Sequence, residues 1–122
     1  TPKFEDVVLK DILVEKAETF VKIYGIPESP LKDVLFENIL VKETNSFFTA
    51  SDAQNLHFKN VHVQSKDSIM FLQQVSDVVF ENTNFDLQGG AIHLQTKGDF
   101  IRNIRFDNTV PQEPVNWSEK YY

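Results

Sequence analysis

Apolar and polar residues alternate along most of this chain, and the alternating stretches return at a nearly fixed interval. The clearest copy reads Leu31-Lys32-Asp33-Val34-Leu35-Phe36-Glu37-Asn38-Ile39-Leu40-Val41. Related phrases begin at Phe4, Ala53, Val75 and Ile101, so the starts 4, 31, 53, 75 and 101 are spaced by 27, 22, 22 and 26 residues. A period of two marks a half-buried strand, and recurrence of a strand unit at this interval marks a stacked repeat. Insertions into such a repeat bulge out as surface loops. Here these are Gly25-Ile26-Pro27-Glu28-Ser29-Pro30 and Thr96-Lys97-Gly98-Asp99.

A second periodic segment follows sixteen residues after each of the first four starts, at Phe20-Val21-Lys22-Ile23, Phe47-Phe48-Thr49-Ala50, Ile69-Met70-Phe71-Leu72 and Ala91-Ile92-His93-Leu94. Each unit therefore holds at least two short strands. Successive strand residues face opposite sides, which makes Val21 and Ile23, Phe48 and Ala50, Met70 and Leu72, and Ile92 and Leu94 the inward set of this segment. In the first strand the inward set is Val7 and Leu9, Val34 and Phe36, Leu56 and Phe58, Val78 and Phe80, and Ile104 and Phe106. Four phenylalanines then stack one per coil, at the inter-strand spacing of roughly 4.8 Å.

Two residues after that column stand Asp11, Asn38, Asn60, Asn82 and Asn108. An asparagine column at a corner has a physical reason. Its amide bonds the amide one coil above and below, and Asn tolerates the left-handed backbone of a sharp turn. Asp11 stands where such a ladder ends. Leucine-rich repeats share the period, but there Asn follows the last strand leucine by three and a helix or 3₁₀ segment returns the chain; here Asn follows Phe by two and the return is a strand. The expected fold is all-β: a right-handed parallel β-helix of about five coils over residues 1–110, roughly 24 Å tall, with residues 111–122 as a C-terminal capping tail.

Composition narrows the function. The length of 122 residues fits one domain. A net charge of -6 argues against nucleic acid, whose phosphates demand a basic face. No cysteine means no disulfide framework and no thiolate chemistry. No apolar run approaches membrane length, and the opening Thr1-Pro2 suggests removal of something upstream. His57 and His62 lie five apart without a third ligand, so neither a metal site nor a cofactor is expected.

The two ends differ. Val8, Leu13, Leu35 and Leu40 take outward positions in the first two coils, where His57, His62, Asn84 and Arg105 stand in later ones. An apolar strip beside an uncapped solenoid end is expected to be a contact surface, either for upstream coils or for self-association. At the other end Pro111 and Pro114 stop strand pairing, and Trp117, Tyr121 and Tyr122 are expected to fold over the last coil. Asn116-Trp117-Ser118 is a formal glycosylation sequon, a triplet that also arises by chance.

The recurring Val-x-Phe-x-Asn-Ile phrase, and the run Lys22-Ile23-Tyr24-Gly25-Ile26-Pro27-Glu28-Ser29-Pro30-Leu31-Lys32-Asp33-Val34, resemble the C-terminal coils of bacterial polygalacturonase-like enzymes of glycoside hydrolase family 28. In that family a Gly-Leu-Pro-Glu-x-Pro loop leads into a coil of this kind. The resemblance covers roughly residues 4 to 110 and implies a pectin-lyase-like solenoid in a secreted or periplasmic bacterial protein that handles pectic or other polysaccharide.

The family's Asn-Thr-Asp, Asp-Asp, Gly-His-Gly and Arg-Ile-Lys motifs do not carry over. Lys66-Asp67-Ser68-Ile69 offers one Asp for two, His93 is displaced from the Gly-His-Gly place, and Lys22-Ile23-Tyr24 only echoes Arg-Ile-Lys. Inverting hydrolysis needs two carboxylates roughly 6.5–9.5 Å apart across the scissile bond, and the outward second-strand positions supply no such pair. They carry Phe20, Lys22, Tyr24, Thr49, Phe71, Gln73, His93 and Gln95. Flat rings beside amides and a cation suit a sugar groove, with Lys22, Tyr24, Phe71 and His93 as contact candidates. The plainer alternative is an outer apolar ladder of Phe20, Phe47 and Ile69 beside a solvated Lys22 and a surface His93. We therefore expect the C-terminal β-helix portion of a secreted glycosidase, itself without catalytic carboxylates; the alternatives are a non-catalytic carbohydrate-binding module and a self-assembling structural one.

Overall fold

The computed structural model describes residues 7–25, 28, 31–97, 101–112, 114 and 115. The expectations for Phe4, for the Pro27 and Pro30 loop and for the Trp117, Tyr121 and Tyr122 cap fall outside them. The described chain is all-β. Its strands are β1 (Val7–Val14), β2 (Ala17–Tyr24), β3 (Leu31–Ser65), β4 (Ile69–Glu81), β5 (Asn84–Leu87), β6 (His93–Lys97) and β7 (Arg102–Asp107). Every pairing between them is parallel.

β3 shows how the sequence makes a solenoid. Its 35 residues would reach roughly 115 Å if straight, yet Asn60 Nδ2 donates to Asn38 Oδ1 across only 3.3 Å. The strand turns corners and lies down on itself. The corners fall at residues with positive φ: Asp11, Asn38, Asn60, Asn82 and Asn108, at 49–56°, which is the expected column. Asn and Asp accept this left-handed backbone more readily than other side chains with a Cβ.

A second corner column was not anticipated. Asp33, Asn55, Asp77 and Asn103 also have positive φ, and Asn55 donates to Asp33 at 2.5 Å and Asn103 to Asp77 at 2.9 Å. Asp52 and Gln74 form a third corner three residues earlier. Each turn therefore has three faces. The first runs through Val34–Glu37, the second through Ile39–Val41 and the third through Ser46–Ser51. The first face carries five rungs and the third four, so the solenoid makes about four turns.

The core is the inside of this coil. Phe36, Phe58, Phe80 and Phe106 stack with centroids 4.4, 4.9 and 4.9 Å apart, as the repeat implied. Phe20 and Phe47 do not form an outer ladder: Phe47 is fully buried, and Phe20 packs on Phe47, Phe48, Phe58 and Phe85. The chain is bending into the third face at Phe47-Phe48, so both neighbours point inward and strict alternation fails there. Buried hydroxyls hold the bends: Thr44, Ser65, Thr83 and Thr109 each donate to a backbone carbonyl two residues away.

The fourth coil departs from the expected register by two residues. Leu94 pairs with Met70, and His93 with Ile69, whereas a constant 22-residue spacing would set His93 beside Phe71. Gln88-Gly89-Gly90 absorbs the extra length. Gly89 and Gly90 sit at φ 86° and 73°, a conformation that glycine adopts without a Cβ penalty, and Gly90 N–H closes the turn onto the Leu87 carbonyl at 2.9 Å. An even slip preserves which side faces inward, so Ile92 and Leu94 remain buried.

Candidate functional site

The outward side of the third face carries two rows of side chains. Pairing of β2, β3, β4 and β6 aligns Lys22, Thr49, Phe71 and Gln95 in one row and Tyr24, Ser51, Gln73 and Lys97 in the next. Each row climbs one rung of roughly 4.8 Å at a time. Lys22 thus stands about 10 Å from Phe71 and about 14 Å from Gln95 along the stack.

Lys22 and Tyr24, two apart on one strand, share a side. Lys22 Nζ lies 5.8 Å from the Tyr24 ring centroid, within cation–π range, and Tyr24 is 64% exposed. Phe71 is half-buried, between Thr49 and Gln95 in its row. His93 is exposed beside Ile69, in the row adjoining that of Phe71, with Nδ1 3.1 Å from Ser68 Oγ. The structure therefore sets Lys22 beside Tyr24, Phe71 two rungs above Lys22, and His93 one rung above Phe71 in the adjoining row. Ser51 and Lys97 join the face although the sequence did not single them out; the signal was the Tyr24 position followed through the repeat.

In the two rows no position is a carboxylate. The chemistry available there is stacking, amide and hydroxyl hydrogen bonding, and attraction to anions at Lys22 and Lys97. His57 lies on the first face, its Nε2 3.0 Å from Glu81 Oε2, where an N–H donates to the carboxylate. His62 lies beyond the Asn60 corner on the second face. Among the described residues no group of three His, Cys, Asp or Glu is arranged to share a metal ion.

The contact strip also resolves into rows. Val8, Leu35, His57, Val79 and Arg105 form one on the first face, and Leu13, Leu40, His62, Asn84 and Val110 form the other on the second. The Asp11 and Asn38 corner separates them, so the strip is two ridges flanking an edge. Val79 and Val110 show that its apolar character is not confined to the first coils. At the N-terminal end the core opens into an apolar hollow of about 300 Å³ lined by Val7, Leu9, Phe20, Ile23, Leu31 and Phe36.

No protein-family model, no curated protein and no solved structure matches this chain.

Proposed function

We propose that these coils are the C-terminal part of an extracytoplasmic, polygalacturonase-like hydrolase of pectic polysaccharide. In this role they extend the solenoid and present a sugar-contact face, while the catalytic carboxylates stand on other coils. The observation that carries this is the third face: an exposed ring beside a cation, a second, half-buried ring, and amides and hydroxyls aligned on rungs of one parallel sheet. A polysaccharide chain running along the stack meets Lys22, Thr49, Phe71 and Gln95 in order, with Tyr24, Ser51, Gln73 and Lys97 beside them. Rings cover apolar sugar faces, amides bond hydroxyls, and the lysines favour uronate carboxylates.

Titration of polygalacturonate fragments onto the chain tests the face. Phe71→Ala is expected to weaken binding about tenfold, as truncation of an anchoring ring does, and Lys22→Ala to weaken it more at low salt than at high salt. Unchanged affinity in Phe71→Ala removes the third face from the proposal.

A further inference from the structure

The first face carries a groove of its own. Val7, Val8 and Leu35 form its apolar side, and Asp33, Asn55 and His57 stand along the other, around a volume of about 340 Å³. The polar members come from neighbouring coils: Asn55 is one rung from Asp33 and bonded to it at 2.5 Å, and His57 is two residues further along the strand. A concave, largely apolar site with a few polar groups to one side is the form that small-ligand sites take.

What these polar groups offer is acceptors. Asn55 Nδ2 donates to Asp33 Oδ1, which leaves Asn55 Oδ1 on the side of Asp77, a carboxylate whose own Oδ1 takes the Asn103 amide. An ionised carboxylate has no proton to give, so the corner ladder is interrupted between Asn55 and Asp77. His57 Nε2 donates to Glu81 Oε2 at 3.0 Å, which leaves Nδ1 as the acceptor of the neutral ring. Among the described residues no cation pairs with Asp33. Lys10 and Lys59 lie in the next row of the face, where they alternate with Glu37 and Glu81. A carboxylate oxygen, an amide oxygen and an imidazole nitrogen thus line one side of the groove.

We propose that this groove binds a small primary alkylammonium ion, its charged head among Asp33, Asn55 and His57 and its alkyl stem along Val8 and Leu35. An ammonium brings three N–H donors and no acceptor, which matches three acceptors, and its bond to Asp33 is charge-assisted. A guanidinium instead pairs with a carboxylate through two parallel bonds, and one oxygen of Asp33 is already engaged by Asn55. The net charge of -6 favours a cation over an anion. The groove lies on the first face, so this site stands independently of the glycan proposal on the third.

Titration of n-butylammonium into the full-length chain, followed by backbone amide chemical shifts, tests the site. Saturable shifts are expected, centred on Asp33, Leu35, Asn55 and His57. Butyltrimethylammonium keeps the charge and the stem but has no N–H, and is expected to bind about tenfold more weakly. Asp33→Asn is expected to weaken butylammonium binding about tenfold as well. Asn accepts the left-handed backbone of this corner, where φ is 58°, and its carbonyl can still take the Asn55 amide, so the fold is kept and thermal unfolding checks it. Asp86→Asn removes a carboxylate on β5 and is expected to leave the affinity unchanged. Equal binding of the two cations, unaltered affinity in a folded Asp33→Asn chain, or shifts that never saturate and spread over the surface carboxylates would each overturn the site.

Discussion

At the scale of the residue, the solenoid depends on side chains that accept a left-handed backbone and bond their counterpart one turn away. Asn60 does both: its φ is 55°, and its amide donates to Asn38. Asn60→Ala is expected to destabilise the chain by about 1–3 kcal/mol, from the left-handed strain on a Cβ together with the lost amide bond. Asn60→Gly relieves the strain but not the bond, so chemical denaturation of the two variants separates the contributions. Equal stability of Asn60→Ala and the unmodified chain removes the ladder as a structural device. The Asn column was legible because one residue type recurs at one phase. The second column was not, because Asp33, Asn55, Asp77 and Asn103 alternate between two types within strand-like sequence, and only the backbone reveals that they share a corner.

At the scale of the element, packing across rungs outweighs surface charge. Phe58 and Phe80 are fully buried and stack on neighbours above and below. Phe58→Ala is expected to cost about 3–5 kcal/mol, a large share of the stability of a small domain, and denaturant unfolding measures it. A loss under about 1 kcal/mol contradicts a continuous ring column. Cross-rung ion pairs such as Lys42–Glu15 at 3.3 Å and Lys66–Glu43 at 3.2 Å are largely exposed and contribute about 0–1 kcal/mol each.

Strand existence, inward phase and the phenylalanine stack were all readable from alternation and period. Two features were not. Phe47 and Phe48 both face inward where the chain bends, a break in alternation that only the bend explains. The slip at His93 depends on the conformation of Gly89-Gly90, which a count of residues does not contain. That slip moved His93 by one row, from beside Phe71 to beside Ile69.

At the scale of the whole molecule, about four turns of parallel strand enclose one phenylalanine-rich core and leave three faces with different side chains. The first and second carry the ridges beside the Asp11 corner, and the third carries the aromatic, amide and lysine rows. The fold was legible because every coil restates it. The site was only partly so: its rows follow from the repeat, but which rows adjoin depends on the register of each coil.

Hydrolysis of polygalacturonate, followed as new reducing ends, is the decisive measurement, made on this 122-residue chain beside the same chain extended upstream in its reading frame. We expect turnover from the extended chain alone, because the third-face rows hold no carboxylate to act as acid or base. Turnover by the short chain contradicts the assignment of catalysis to other coils, and turnover by neither contradicts the assignment to a pectic hydrolase.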